Sequence, residues 1–247
     1  MATVPIAGVA ILIASRLLLP VDAAPRDQLA AITNDATEDA DFLFRLGMME
    51  GHLMIGHQLM EAHQAELGLP HYGHPVRELY SDIEDYLAAK HFPAFNGQLI
   101  ALEAQATAAP DSPETEKTYQ TVIATLHKAR ETTPAALRAS LPQMIQICSD
   151  TIDAASGEFG QAIEQGKVTA LLEYHDSKGY LAYVAQEMKE LNAQHNDAES
   201  QSLLARFQAV LAKAEWIVAP LLPDPTPRAS LDAYRAIVAE GAAIAKE

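Results

Sequence analysis

The sequence predicts an all-α protein, an up-and-down bundle of about eight helices behind an N-terminal signal segment. Three observations point to it. Alanine is abundant, glycine and proline fall mostly between stretches of helical periodicity, and no run alternates Val, Ile and Thr as a strand would. At 247 residues, 49% apolar and 20% charged, the chain can bury a sizeable core and is too apolar for disorder.

The first helix is expected over residues 37–67, with Glu38 and Asp41 near its start and Gly68 and Pro70 ending it. A loop over residues 70–75 leads to a second helix at 76–90. Pro93 opens a third that runs to about Ala106, and Pro110 and Pro113 bracket the turn into a fourth at 114–130. Pro134 and Pro142 are helix-start signals and put a fifth at residues 142–155. Gly157, Gly160 and Gly166 then punctuate a short helical piece. Two long helices, 168–194 and 198–218, precede a loop over 220–227, and a last helix at 230–246 closes the bundle. Trp216 and Tyr234 read as core aromatics. With no fixed-period repeat or low-complexity segment, one domain is expected over residues 37–247.

Ahead of the bundle, residues 1–24 read as an export signal. An apolar run at 4–14 and a second at 17–19 lead to Pro20 and to a small-residue cleavage pattern ending in Ala23 and Ala24. Cleavage there leaves a short lead, residues 25–36, and a periplasmic protein; an uncleaved membrane anchor is the alternative. The span of about 20 apolar residues that a transmembrane helix needs is absent, so no membrane insertion of the mature chain is expected. A net charge of -16 repels phosphate and excludes nucleic acid as a partner, while it favours cations. Cys148 is the only cysteine, which excludes an internal disulfide and any cysteine-built zinc or iron-sulfur site.

Chemistry concentrates between Met48 and Glu78. That stretch holds five of the nine histidines (His52, His57, His63, His71, His74), four of the seven methionines and four glutamates. Imidazole suits zinc, copper, iron and nickel, thioether favours copper(I), and carboxylate suits harder ions, so the mixture points to a transition metal. On a helix, His52 and His63 are 11 residues or about 16 Å apart and cannot share an ion, whereas His57 and Glu61 at i, i+4 can. His71, His74 and Glu78 form an HxxHxxxE arrangement that makes the best local half-site. His52 reaches it if the chain reverses direction through residues 70–75.

A second segment carries Glu173, Tyr174, His175 and Asp176. Glu173 and Asp176 are three apart and share a helix face, as carboxylates presented to metal in helical bundles do. The run from Gly157 to Tyr180, with its Gly-Lys-Val turn followed by Glu-Tyr and an acidic residue, resembles the extracytoplasmic helical domain associated with bacterial high-affinity iron permeases. That resemblance implies iron as the metal and a membrane permease or other uptake component as partner. The permeases' own Arg-Glu-Gly-Leu-Glu motif is absent, so an accessory role is expected. More loosely, an exported all-helical protein with a Gly-His-rich first helix is similar to imelysin-like proteins, although their GxHxxE motif is not matched. Asp41, Phe44, Met48, Met49 and His52 resemble a helix of small secreted copper-associated bundles.

The expected function is therefore binding of a transition-metal ion as an accessory to iron uptake, with iron favoured and copper or zinc the alternatives. The expected ligands are His52, His71, His74, Glu78, Glu173 and Asp176. A helical scaffold with packing histidines is the rival reading, and a copper-binding or metal-dependent redox protein the third. No nucleophile elbow, phosphate-binding glycine loop, HExxH helix, haem-attachment motif or paired Glu-x-x-His is present, so no catalytic residue is assigned.

Overall fold

The computed structural model describes residues 38–247; the export segment expected at 1–24 and the whole of the lead at 25–36 lie outside them. The described chain is an all-helical bundle: α1 (Glu38–Glu61), α2 (Ala65–His74), a π-helical turn (Pro75–Leu79), α3 (Tyr80–Ala89), α4 (Asn96–Ala108), α5 (Pro113–Arg130), the single turn α6 (Ala135–Arg138), α7 (Leu141–Ala162), α8 (Leu171–Gln194), α9 (Ala198–Ile217) and α10 (Leu231–Ile244). Between α7 and α8 a two-residue hairpin, β1 (Ile163–Glu164) with β2 (Lys167–Val168), makes the turn. Gln165 and Gly166 both have positive φ, as a tight primed turn requires.

Helix α1 is buried on nearly every side, with Phe42, Leu43, Phe44, Leu46, Met48, Met49, Leu53, Ile55 and Leu59 all in the core. A helix apolar all round belongs at the centre of a bundle, and α1 packs on α8, α2, α7 and α5. The face of α8 turned away from α1 is covered by α9, and α10 closes over α7 and α9. Ser112, Asp197 and Ser230 cap α5, α9 and α10 by accepting from the backbone N–H three residues on. No described helix is long and apolar enough to cross a membrane.

The first helix ends six residues earlier than its composition suggests. His63, at φ 56°, takes the left-handed position, and the backbone N–H groups of His63 and Gln64 return to the carbonyls of Met60 and Leu59. These two bonds form a Schellman stop, usually built on glycine. The chain therefore reverses at Ala62–Gln64, and the expected loop over residues 70–75 is helix instead. Pro70 removes one backbone bond from α2, but Gly68, His71, Tyr72 and Gly73 bury their faces against α1, which outweighs that loss. Pro75 has no N–H to continue the α pattern, and the next turn widens so that Tyr80 N–H donates to the Pro75 carbonyl. Such π turns recur at functional sites.

Two further expectations are corrected. Gly157 and Gly160 lie inside α7, which continues to Ala162 because Phe159 and Ala162 are fully buried; a mid-helix glycine costs only about 1 kcal/mol. Trp216 is not a core aromatic: it is 56% exposed, with the Arg228 guanidinium 5.5 Å from its ring centre. Tyr234 is buried.

Candidate metal centre

Three glycines set the geometry around His52. A Cβ on Gly51 would come within 2.9 Å of the Gly179 carbonyl oxygen, and one on Gly179 would strike the Gly51 carbonyl, so α1 and α8 cross backbone to backbone. His52 thereby faces Asp176, one turn before Gly179. On the other side of α1, a Cβ on Gly56 would meet Tyr72 at 3.0 Å and the His71 Cβ at 3.2 Å. The α1–α2 hairpin is consequently tight, and it returns His71 and His74 alongside His52.

Asp176 is the hub. His52 Nδ1 and His71 Nδ1 each lie 2.7 Å from its Oδ1, and His74 Nδ1 lies 3.5 Å from its Oδ2. All four residues are buried, and one donor atom from each lies within 4.8 Å of the others. Burial works to raise the Asp176 pKa, but the imidazoles of His52, His71 and His74 outweigh it and hold the carboxyl well below the usual range. An ionised carboxylate only accepts, so His52 and His71 donate to it through Nδ1–H. Burial pushes the His71 pKa down and leaves that ring neutral. For His74 burial acts downward too, yet the Asp176 carboxylate wins and the net direction is up.

Around this core stand groups of a second rank. The Tyr180 hydroxyl is 3.0 Å from His52 Nε2, and both side chains are buried. Glu78, on the π turn, places Oε1 3.9 Å from His74 Nε2 with a side chain 58% exposed. Glu173 is half-buried on α8, outside the cluster of four. Glu158 of α7, which the sequence reading did not single out, has its carboxyl pushed up to about 8 by burial and then by the negative charges of Asp176, Glu173 and Glu78. Of the residues expected as ligands, the fold thus brings His52, His71, His74 and Asp176 together and leaves Glu78 and Glu173 at the rim. Lys178 and Arg77 pair elsewhere, with the Val218 and Ala219 carbonyls and with Glu103.

The donor set fits a transition metal. Three imidazoles and one carboxylate suit zinc, iron, copper or nickel, whereas calcium and magnesium want oxygen shells. His71 Nε2 and His175 Nδ1 are buried with no hydrogen-bond partner, a condition rare for structural histidines. A tetrahedral ion with bonds of about 2.0–2.1 Å places its ligand atoms about 3.3 Å apart. Small side-chain shifts reach that spacing from the present one.

The segment that supplies Asp176 also carries a recognisable family pattern. Residues 134–228 match the iron permease-associated 4-helix bundle domain. No curated protein and no solved structure matches the chain. The matched segment covers α6 to α9 and holds Glu158, Glu173, His175, Asp176 and Tyr180; His52, His71 and His74 come from α1 and α2, outside it.

Proposed function

We propose that the protein binds one transition-metal ion, iron in the first instance, through His52, His71, His74 and Asp176, and that it serves iron uptake as an accessory to a permease or a related transport component. The observation that carries this reading is the convergence of three buried imidazoles on one buried, ionised carboxylate. The match of residues 134–228 to an iron permease-associated domain favours iron among the metals the donors would accept. Copper and zinc remain the other candidates by ligand chemistry. The carboxylates Glu78 and Glu173 at the rim give the approach to the site a negative field, which raises the local cation concentration. Export to the periplasm, signalled by residues 1–24, belongs to the same proposal.

A scaffold role with packing histidines gives no partner to the buried Nε2 of His71, and that atom counts against it. The test is to dialyse the metal-free protein separately against iron(II), copper(II) and zinc, then measure bound metal and melting temperature. An ion present at a hundredfold excess over its dissociation constant stabilises the fold by about 2.7 kcal/mol, or roughly 5–10 °C in a domain of this size. One ion per chain with such a shift supports the proposal; no bound ion and no shift with any of the three would favour the scaffold.

A further inference from the structure

Every ring nitrogen turned toward Asp176 is an Nδ1, in His52, His71 and His74 alike. A neutral imidazole carries one hydrogen, so a ring that binds a cation through Nδ1 must carry its hydrogen on Nε2. Metal-bound histidines almost always give that outer N–H to an acceptor.

The outer acceptors are already present. For His52 it is the Tyr180 hydroxyl at 3.0 Å, and for His74 it is Glu78 at 3.9 Å. For His71, whose Nε2 is buried and unpartnered, the neighbouring ring is His175, with centroids 5.7 Å apart and planes at 72°. His175 is fully buried, and its Nε2–H donates to the Leu221 carbonyl at 2.8 Å. Its Nδ1 therefore carries a lone pair, and that atom too has no partner.

We propose that the ion is bound through Nδ1 of His52, His71 and His74, and that Tyr180 and His175 are positioning residues that accept the Nε2 hydrogens of His52 and His71. This rests on the metal-binding reading above. In the metal-free protein His52 and His71 each point an Nδ1 hydrogen at Asp176; with the ion on Nδ1, the hydrogen of each ring sits on Nε2. Tyr180 turns from donor to acceptor, and His175 gains the partner its Nδ1 lacks. The Leu221 carbonyl sets this up by fixing the His175 tautomer.

The deciding measurement is a long-range proton–nitrogen NMR spectrum of the zinc-loaded, histidine-labelled protein. Hydrogens on Nε2 of His52 and His71 with zinc on Nδ1 are expected; zinc on Nε2 of those rings overturns the proposal. Three substitutions supply a second readout. His175→Gln keeps an amide that reaches Leu221 and loses the acceptor, whereas His175→Asn keeps an acceptor at the Nδ1 position. Zinc affinity should fall about 10–100-fold in His175→Gln and Tyr180→Phe, and stay within a few-fold of the parent in His175→Asn. Unchanged affinity in both His175→Gln and Tyr180→Phe would also overturn it. If a variant does not fold, the spectrum of the parent protein decides alone. A parent protein that binds no metal ends the underlying reading; one that binds zinc through Nε2 ends only this inference.

Discussion

Gly51 and Gly179 lie in direct backbone contact where α1 crosses α8, one residue away from His52 on the first helix and from Tyr180 on the second. No side chain separates the helices there, and that closeness lets His52 reach Asp176. Gly179→Ala would drive a methyl into the Gly51 carbonyl and the Ile55 side chain, neither of which can move without shifting a helix. Overpacking of this kind costs about 1–3 kcal/mol, or roughly 2–12 °C in melting temperature. Metal affinity should fall with it. Gly157→Ala, where an added methyl meets open space inside α7, should stabilise by about 1 kcal/mol and leave metal binding as it was. Thermal melts and metal titrations of the two variants provide the comparison.

Asp176→Asn keeps the size of the hub and removes its charge. His52 and His71 would lose the carboxylate oxygen they share. Metal affinity should drop by more than the factor of about 10–100 typical of an outer partner, and equilibrium dialysis reads it. Glu173→Gln and Glu78→Gln, at the rim, should cost less than Asp176→Asn under the same conditions.

Glu158 gives the metal-free protein a pH dependence. Its carboxyl ionises at about 8 in the fold against 4.5 for an ordinary glutamate. Between those values the folded chain holds a proton that the unfolded chain has released. The resulting stability is therefore fully present below about pH 4.5 and is lost as pH rises through about 8. Glu158→Gln has nothing to ionise, so its melting temperature relative to the parent should climb across that window. A bound cation favours the ionised form and should narrow the gap. A difference that stays flat with pH would contradict the assignment.

The melting temperature should barely respond to Trp216→Ala, because the indole is more than half exposed. Surface changes of this kind stay within about 0.5 kcal/mol. The single tryptophan should also be open to an aqueous quencher in the native state.

These contrasts mark what residue order reveals. The all-helical class was legible because periodicity and the spacing of glycine and proline report burial directly. The convergence of His52 with the 71–74 segment was legible as a condition, but the place of reversal was not: His63 acts as the left-handed stop that sequence rules assign to glycine. His91 does the same at the end of α3, again with positive φ and with bonds back to Ala88 and Leu87. Prolines at 70 and 75 imitated a loop because tertiary burial of Tyr72 and His71 overrides the local preference. Tyr180 was out of reach for another reason. Its role follows from one hydroxyl meeting His52 across 128 residues, and nothing local to either residue encodes that contact. Asp176 carried a local signal, the i, i+3 pair with Glu173, yet only the three-dimensional arrangement separates the buried member from the one at the rim.

X-ray absorption on the iron-loaded protein tests the central claim most directly, because it reads what surrounds the ion. Three imidazoles and a carboxylate oxygen around one iron per chain, with the imidazole signal lost or reduced in His52→Ala and His71→Ala, is the result this account predicts. An iron shell of oxygen atoms alone, unchanged by either substitution, would contradict it.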